Sequence, residues 1–238
     1  MRLNKYLARS GLASRRQCDK FIESGDIKIN GAIVKDFSYQ VKGNDVVQYK
    51  NKFIEIENDL AYYILNKPKS YICSNNDNRG RKTIFDLIPS KNRLFSIGRL
   101  DYDTTGIIIL TNDGDFCQLL SHPSNNFSKK YYAITDKKLE KEQIEEIKKG
   151  VRIENTIMKG RFKFIEHVRN KSYSWEITLC EGKNREIKKI FSNFKINVTY
   201  LHRFEFGGIS LGHLKTGKFK KIKKSDLEKI IISNAEKK

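Results

Sequence analysis

A charged loop set between two apolar strands constrains this chain more than any other feature. Gly98-Arg99-Leu100-Asp101-Tyr102-Asp103-Thr104-Thr105-Gly106 separates Phe95 to Gly98 from Ile107 to Thr111. Both flanks are β-rich and nearly continuously apolar, as strands covered on two faces are. An Arg-x-Asp unit between glycines is an odd thing to bury for stability. Asp101 is either a loop carboxylate in water or is held in a cleft by a basic partner such as Arg99. An unpaired buried carboxylate costs several kcal/mol, so the cleft reading requires that partner. Further strands and turns surround the loop. Tyr62 to Asn66 reads as a strand stopped by Lys67-Pro68, Thr83 to Ile88 as a short helix ended by Pro89, and Asn112-Asp113-Gly114 as a turn. Asp113 and Asp115 are placed to cap a helix over Phe116 to Leu120.

The first 58 residues read differently. Leu3, Tyr6 and Leu7 recur at helical spacing and turn Arg2, Lys5 and Arg9 toward solvent, with Gly11 as the residue that ends the helix. Ser14 followed by Gln17 is a capping box opening a second helix, Arg15 to Glu23, with Arg15, Arg16 and Lys20 on its exposed face. Gly25 closes it. Asn30-Gly31 between Ile27-Lys28-Ile29 and Ala32-Ile33-Val34 is a hairpin by its turn chemistry, and Val46, Val47 and Tyr49 supply another strand. Residues 50 to 59 read as a last strand running into a polar connection, so the boundary falls near Asn58: one domain over 1–58 and a second over 59–238.

Composition narrows the function classes. The chain has 238 residues, 38% of them hydrophobic, enough for a folded core without disulfide staples. Its longest strictly apolar runs, such as Ile107 to Leu110, fall far short of the roughly 20 residues that span a bilayer. No apolar signal region follows the basic N-terminus. Cys18, Cys73, Cys117 and Cys180 form no C-x-x-C pair, which argues against a local zinc knuckle and for reduced thiols. The expectation is a cytoplasmic protein without a membrane partner. The net charge is +19, and residues 183 to 238 carry 15 basic and 5 acidic side chains, more than half the excess. A polyanion, nucleic acid first, is the partner this implies.

Taken together, R-L-x-K-Y-L-A, S-R-R and G-x-I-x-I-N-G occur in an order that resembles the S4 RNA-binding domain. The resemblance implies a reader of structured RNA, with Arg2, Lys5, Arg9, Arg15 and Arg16 on phosphates. Further along, G-R-L-D-Y-D-T-T-G-I-I-I-L-T-N-D-G, then S-H-P, then K-K-Y-Y-A, then E-G-K-N-R-E-I-K-K-I-F resembles the RsuA/RluB family of ribosomal RNA pseudouridine synthases. That likeness runs over nearly the whole chain. It implies an α+β protein: a small N-terminal S4-like domain, then a catalytic domain built on a mixed, mainly antiparallel sheet with a central cleft. The implied reaction turns a uridine of folded rRNA into pseudouridine without cofactor or metal.

On the same basis Asp101 matches the family's catalytic carboxylate, Lys188 the basic residue that pairs with it, and Tyr131 the cleft aromatic. Tyr132 differs by one position, and Tyr131 is preferred because it follows the two lysines. Leu201 matches an apolar cleft residue. Asn184, Arg185 and Lys189, with Arg99, are candidates for phosphate and base contacts, since extruding a nucleotide costs a few kcal/mol of stacking and pairing. Glu186 departs from the family, which more often has Gln there. The histidines show no triad or zinc spacing. Gly207 to Gly212 alternates like a strand, so a phosphate loop is not expected there. Ser225-x-x-Glu228 reads as a capping box opening a terminal helix, after a basic edge over 218 to 224.

G-R-L-D-Y-D and R-G-R-K-T-I-F-D-L-I-P resemble the large-subunit (23S) enzymes more than the small-subunit (16S) one, and the expected state is a monomer. The alternatives are a 16S enzyme or a non-catalytic S4-type ribosome-assembly factor. A methyltransferase is disfavoured, because no glycine-rich nucleotide loop follows a predicted strand.

Overall fold

A computed structural model describes residues 1–75, 77–168 and 172–235. The chain divides into two compact units, Met1–Ala61 with Lys91–Arg93 and Asn112–Gly114, and Tyr62–Ser90 with Leu94–Thr111 and Asp115–Lys238. The two short excursions that group with the first unit are something no single boundary drawn along a sequence expresses.

In the first unit, α1 (Leu3–Arg9) and α2 (Arg15–Glu23) precede β1 (Ile27–Ile29), β2 (Ala32–Ile33), β3 (Val47–Tyr49) and β4 (Lys52–Phe53). The Ser14 side chain accepts the Gln17 N–H and caps α2. Asn30 and Gly31 take φ of 52° and 84°, the pair of positive values that a tight β1–β2 turn needs. The sheet order is β2-β1-β3-β4. Leu3, Leu7, Cys18, Ile22, Ile27, Ile29 and Val47 form its buried core. The strand expected over 50–59 is only two residues long, Lys52–Phe53.

The second unit holds β5 (Tyr62–Lys67), β6 (Phe95–Ile97), β7 (Thr105–Thr111), α3 (Gly114–Ser121), β8 (Lys129–Thr135), α4 (Lys141–Lys149), β9 (Val151–Ile153), β10 (Thr156–Met158), β11 (Arg161–Val168), β12 (Ser172–Leu179), α5 (Glu186–Asn193), β13 (Val198–Phe206), β14 (Ile209–Ser210), β15 (Phe219–Lys221) and α6 (Lys224–Ala235). The main sheet runs β11-β12-β8-β13-β7-β5-β15, with β6 on β7 and β14 on β13. Two antiparallel halves meet where β13 runs parallel to β7, through His202↔Thr105 and Arg203↔Gly106. The fold is therefore α+β, with a mixed, mainly antiparallel sheet. Every residue of β5 and β7 is buried, as their unbroken apolar runs require of central strands.

At the joint the backbones touch. A Cβ on Gly106 would lie 2.1 Å from the Arg203 carbonyl oxygen, and its φ is +115°. Glycine is required there on both counts. Arg203 is buried and donates through Nε and Nη2 to the Ile107 carbonyl, at 2.9 and 2.7 Å, clamping the two halves across the joint.

Two sequence expectations need correcting. The helix expected over 83–88 is one 3-10 turn, Ile84–Leu87, with Thr83 and Asp86 forming its capping box. The terminal helix starts at Lys224, so Ser225 lies inside its first turn and is not the cap; the Lys223 carbonyl already accepts the Asp226 and Leu227 N–H groups.

Candidate active site

The loop between β6 and β7 is held in place from behind. Lys67, last in β5, has no exposed surface, and its ammonium donates to the carbonyls of Asp101 (2.9 Å), Thr104 (2.8 Å) and Pro68 (3.2 Å). Three acceptors take three protons, so the geometry fits the ammonium form. Burial lowers its pKa, while Cys73, Asp103 and Asp101 act to raise it. Ser70 N–H donates to the Tyr102 carbonyl at 2.8 Å, and Cys73 Sγ exchanges 3.4 Å hydrogen bonds with both backbone groups of Leu100. Residues 67 to 73 thus fix the backbone from Leu100 to Thr104, and with it the direction of Asp101.

In front of that loop lies a cleft of about 560 Å³. Asp101, Tyr131, Lys188, Leu201, Arg99, Asn184 and Arg185, all singled out from sequence, line it. The Asp101 carboxylate has Lys188 Nζ at 3.7 Å and Arg185 Nη1 at 3.9 Å from Oδ2. Its partners therefore come from α5 and the turn before it; no ion pair to Arg99 is formed. Lys188 sits closer still to Asp103, at 2.5 Å from Oδ1. Partial burial pushes the Asp103 carboxyl up, but the hydrogen bond and charge of Lys188 hold it below its ordinary value. One lysine thus serves two carboxylates, and the tighter contact is to Asp103. The resemblance pairs Lys188 with Asp101; the structure adds Asp103 as a second partner.

Strand alternation separates the two tyrosines. Tyr131 is buried, pairs with Arg203 on β13 and lines the cleft. Tyr132 turns to the other face, where its ring meets Tyr200 edge-on with centroids 6.3 Å apart. Leu201 is buried, and His202, one position on, hydrogen-bonds Thr105 through Nδ1 at 2.8 Å. Lys189 is not brought to the cleft; it pairs with Glu154 at 2.8 Å. In the first unit Arg2, Arg15 and Arg16 are exposed, while Lys5 and Arg9 are half-buried.

Several residues at or beside the cleft were missed by sequence reasoning. Asp103, which is not part of the lining but pairs with Lys188, had a signal, the D-x-D spacing. Tyr102, exposed beside Asp101, and Lys129, which donates to the carbonyls of Phe127 and Cys180, had none beyond the run of motif residues around them. Asp77 and Arg81 form a 2.6 Å ion pair at the cleft, and hydrogen bonds from the Arg81 side chain and backbone bring the Asp77 carboxyl down to about 2. Among the described residues, no cluster of three or more His, Cys, Asp or Glu is arranged to hold a metal.

The profile of the RNA pseudouridylate synthase family matches residues 61–193, which include Asp101, Tyr131 and Lys188. The chain belongs to that family. The S4 domain profile matches residues 1–47. A pseudouridylate synthase of known crystal structure superposes with a TM-score of 0.68 at 28% identity, over 97% of this chain and 99% of that one. Ribosomal large subunit pseudouridine synthase B of Bacillus subtilis is 32% identical over 96% of this chain and 95% of its own. Dual-specificity RNA pseudouridine synthase RluF of Escherichia coli is 34% identical over 95% of this chain and 77% of its own. The family member described here is accordingly an RNA pseudouridine synthase carrying an S4 domain. Among its described residues, no helix is long and apolar enough to cross a membrane.

Proposed function

We propose that this pseudouridine synthase isomerises one uridine of ribosomal RNA, in the 23S RNA of the large subunit. The observation that carries the reading is Asp101: a carboxylate fixed by its own backbone, flanked by two cations within 4 Å, in a cleft that also holds Tyr131. At about 560 Å³ the cleft lies within the ~300–1,000 Å³ range of small-ligand sites, suited to one extruded nucleoside.

The chemistry follows from what such a site supplies. The C1′–N1 bond breaks, the base turns, C5 bonds to C1′, and the C5 proton passes to N1 with the help of solvent. Atoms and electrons balance within one nucleoside, so no cofactor enters the scheme. Asp101 acts at the sugar, either by adding to C1′ or by taking a ribose proton after cleavage. As a nucleophile or base at the sugar it needs direction more than activation. Lys188 and Arg185 stand opposite its charge when RNA displaces water. Tyr131 stacks on the turned base and takes the C5 proton, and Leu201 completes the apolar wall. Arg99, Asn184 and Arg185 hold the extruded strand, and Arg2, Lys5, Arg9, Arg15 and Arg16 of the 1–58 domain hold phosphates elsewhere on the RNA. The protein works as a monomer in the cytoplasm, where ribosomes are assembled; light scattering on the purified protein checks the first point.

The test is incubation of the purified protein with 16S and 23S transcripts free of modification, followed by pseudouridine mapping. One new pseudouridine in 23S RNA is expected. A site in 16S RNA alone overturns the subunit assignment, and none in either, with assembly intermediates also tried, overturns the enzyme assignment.

A further inference from the structure

Glu186 is a cleft residue that the scheme above does not use. It opens α5, is 3% exposed and lines the same cleft as Asp101 and Tyr131. Its two oxygens are treated differently. Oε2 accepts the Lys183 N–H at 3.0 Å, whereas Oε1 is buried with no hydrogen-bond partner among the described residues. A buried polar oxygen left unpaired costs about 1–3 kcal/mol, so such an atom calls for an explanation by function or by a missing partner.

We propose that Glu186 is a substrate-contacting hydrogen-bond donor: in its protonated form Oε2 stays on the Lys183 N–H, and Oε1–H is offered to a carbonyl oxygen of the extruded nucleobase. The inference rests on the reading of the cleft as a uridine-isomerising site. Three observations support it. The neighbouring Asn184 and Arg185 line the cleft with exposed side chains, so the turn that carries Glu186 borders the cleft. Among the described residues the one backbone donor that reaches the carboxyl is spent on Oε2, which leaves Oε1 for a molecule that enters. Uracil has two carbonyl oxygens and, once N1 is free, needs donors to hold it through its turn.

The charged groups facing Glu186 are Lys183 on its own turn, Lys129 at the start of β8 and Glu181 just beyond β12. Burial raises its pKa above the ordinary 4.5; the Lys183 N–H, the Lys183 charge and the Lys129 charge lower it, Glu181 raises it, and burial prevails. The neutral acid is therefore present at low pH and is lost as pH rises through the raised value. Its contribution to stability follows the same sign, complete below about 4.5 and lost across that titration.

The experiment is the pH dependence of single-turnover pseudouridine formation between about pH 5 and about pH 9, for the wild type, E186Q and E186L. Gln keeps a donor on one atom and an acceptor for the Lys183 N–H on the other, at every pH. The expected result is an alkaline loss of rate in the wild type that is absent from E186Q. E186L is expected to run about 10- to 100-fold below E186Q at all pH values, and below the wild type by that factor only on the acid side, the worth of one hydrogen bond, with RNA affinity changed less. Superposable wild-type and E186Q profiles overturn the proposal, as does wild-type turnover by E186L on the acid side. Should E186L fail to fold, the comparison of wild type with E186Q decides alone. An inactive wild type overturns the reading of the cleft itself, a result distinct from any difference among the variants.

Discussion

Replacing Lys67 by Met tests how Asp101 is aimed without touching the cleft. The side-chain length is nearly kept, but the carbonyls of Asp101, Thr104 and Pro68 lose an ammonium that reaches them at 2.9, 2.8 and 3.2 Å. Hydrogen bonds to a charged group are worth about 1.5–3 kcal/mol each, so the two short ones amount to about 3–6 kcal/mol gross. Against this, burying an ammonium costs several kcal/mol, which Met does not incur. Asp101 O also keeps a bond from the Thr104 N–H, at 3.1 Å. The net loss should be about 1–3 kcal/mol, a fall in melting temperature of about 2–12 °C for a chain this long. The catalytic loss should be larger in proportion, because a displacement of about 1 Å at a reacting group costs about 100-fold. Thermal melts, RNA affinity and single-turnover rates measured together check this: the rate should fall about 100-fold with affinity nearly unchanged. A lower melting temperature with a rate within about twofold of wild type would show that Lys67 only fills the core and that Asp101 is aimed by something else.

Gly106→Ala puts a methyl 2.1 Å from the Arg203 carbonyl at a φ of +115°, and should cost about 3 kcal/mol or more, read as a lost or much lower thermal transition. A folded variant within about 1 kcal/mol of wild type would mean that the β7–β13 joint is looser than described. Asp103→Asn removes the tighter partner of Lys188 and should leave its ammonium to Asp101 alone, changing the single-turnover rate several-fold with RNA affinity nearly unchanged. A rate within about 1.5-fold of wild type would show that the division of the lysine between the two carboxylates does not matter to the chemistry. Replacing Arg2, Arg15 and Arg16 together by Ala should weaken RNA binding and make the slope of log affinity against log salt shallower by about 3, and an unchanged slope removes these side chains from the phosphates.

What the sequence made legible was local. The Asn30-Gly31 turn, the Ser14 cap and the apolar runs of β5 and β7 each depend on neighbours within a few positions, and each formed as expected. Tyr131 was preferred over Tyr132 because it follows the two lysines, and it is Tyr131 that lines the cleft. What stayed hidden depends on residues far apart in the chain. Lys67 read as a stop before Pro68, yet its ammonium lies on a carbonyl 34 positions later. Nothing in the sequence singled out Arg203, yet its guanidinium clamps a strand 96 positions earlier. A lysine that ends a strand in solvent and one that ends it in the core have the same neighbours, so no local pattern separates them. Lys188 was singled out as the partner of Asp101, but its division between Asp101 and Asp103 is a matter of ångströms that spacing cannot express.

The central claim, that the Asp101 side chain performs the chemistry at the sugar, is tested most directly by single-turnover assay of Asp101→Asn on an RNA that the wild type modifies. The substitution keeps size and polarity and removes the charge. No pseudouridine over many wild-type half-lives, with RNA affinity within a few-fold of wild type, is the result expected. Sustained pseudouridine formation by Asp101→Asn would contradict it.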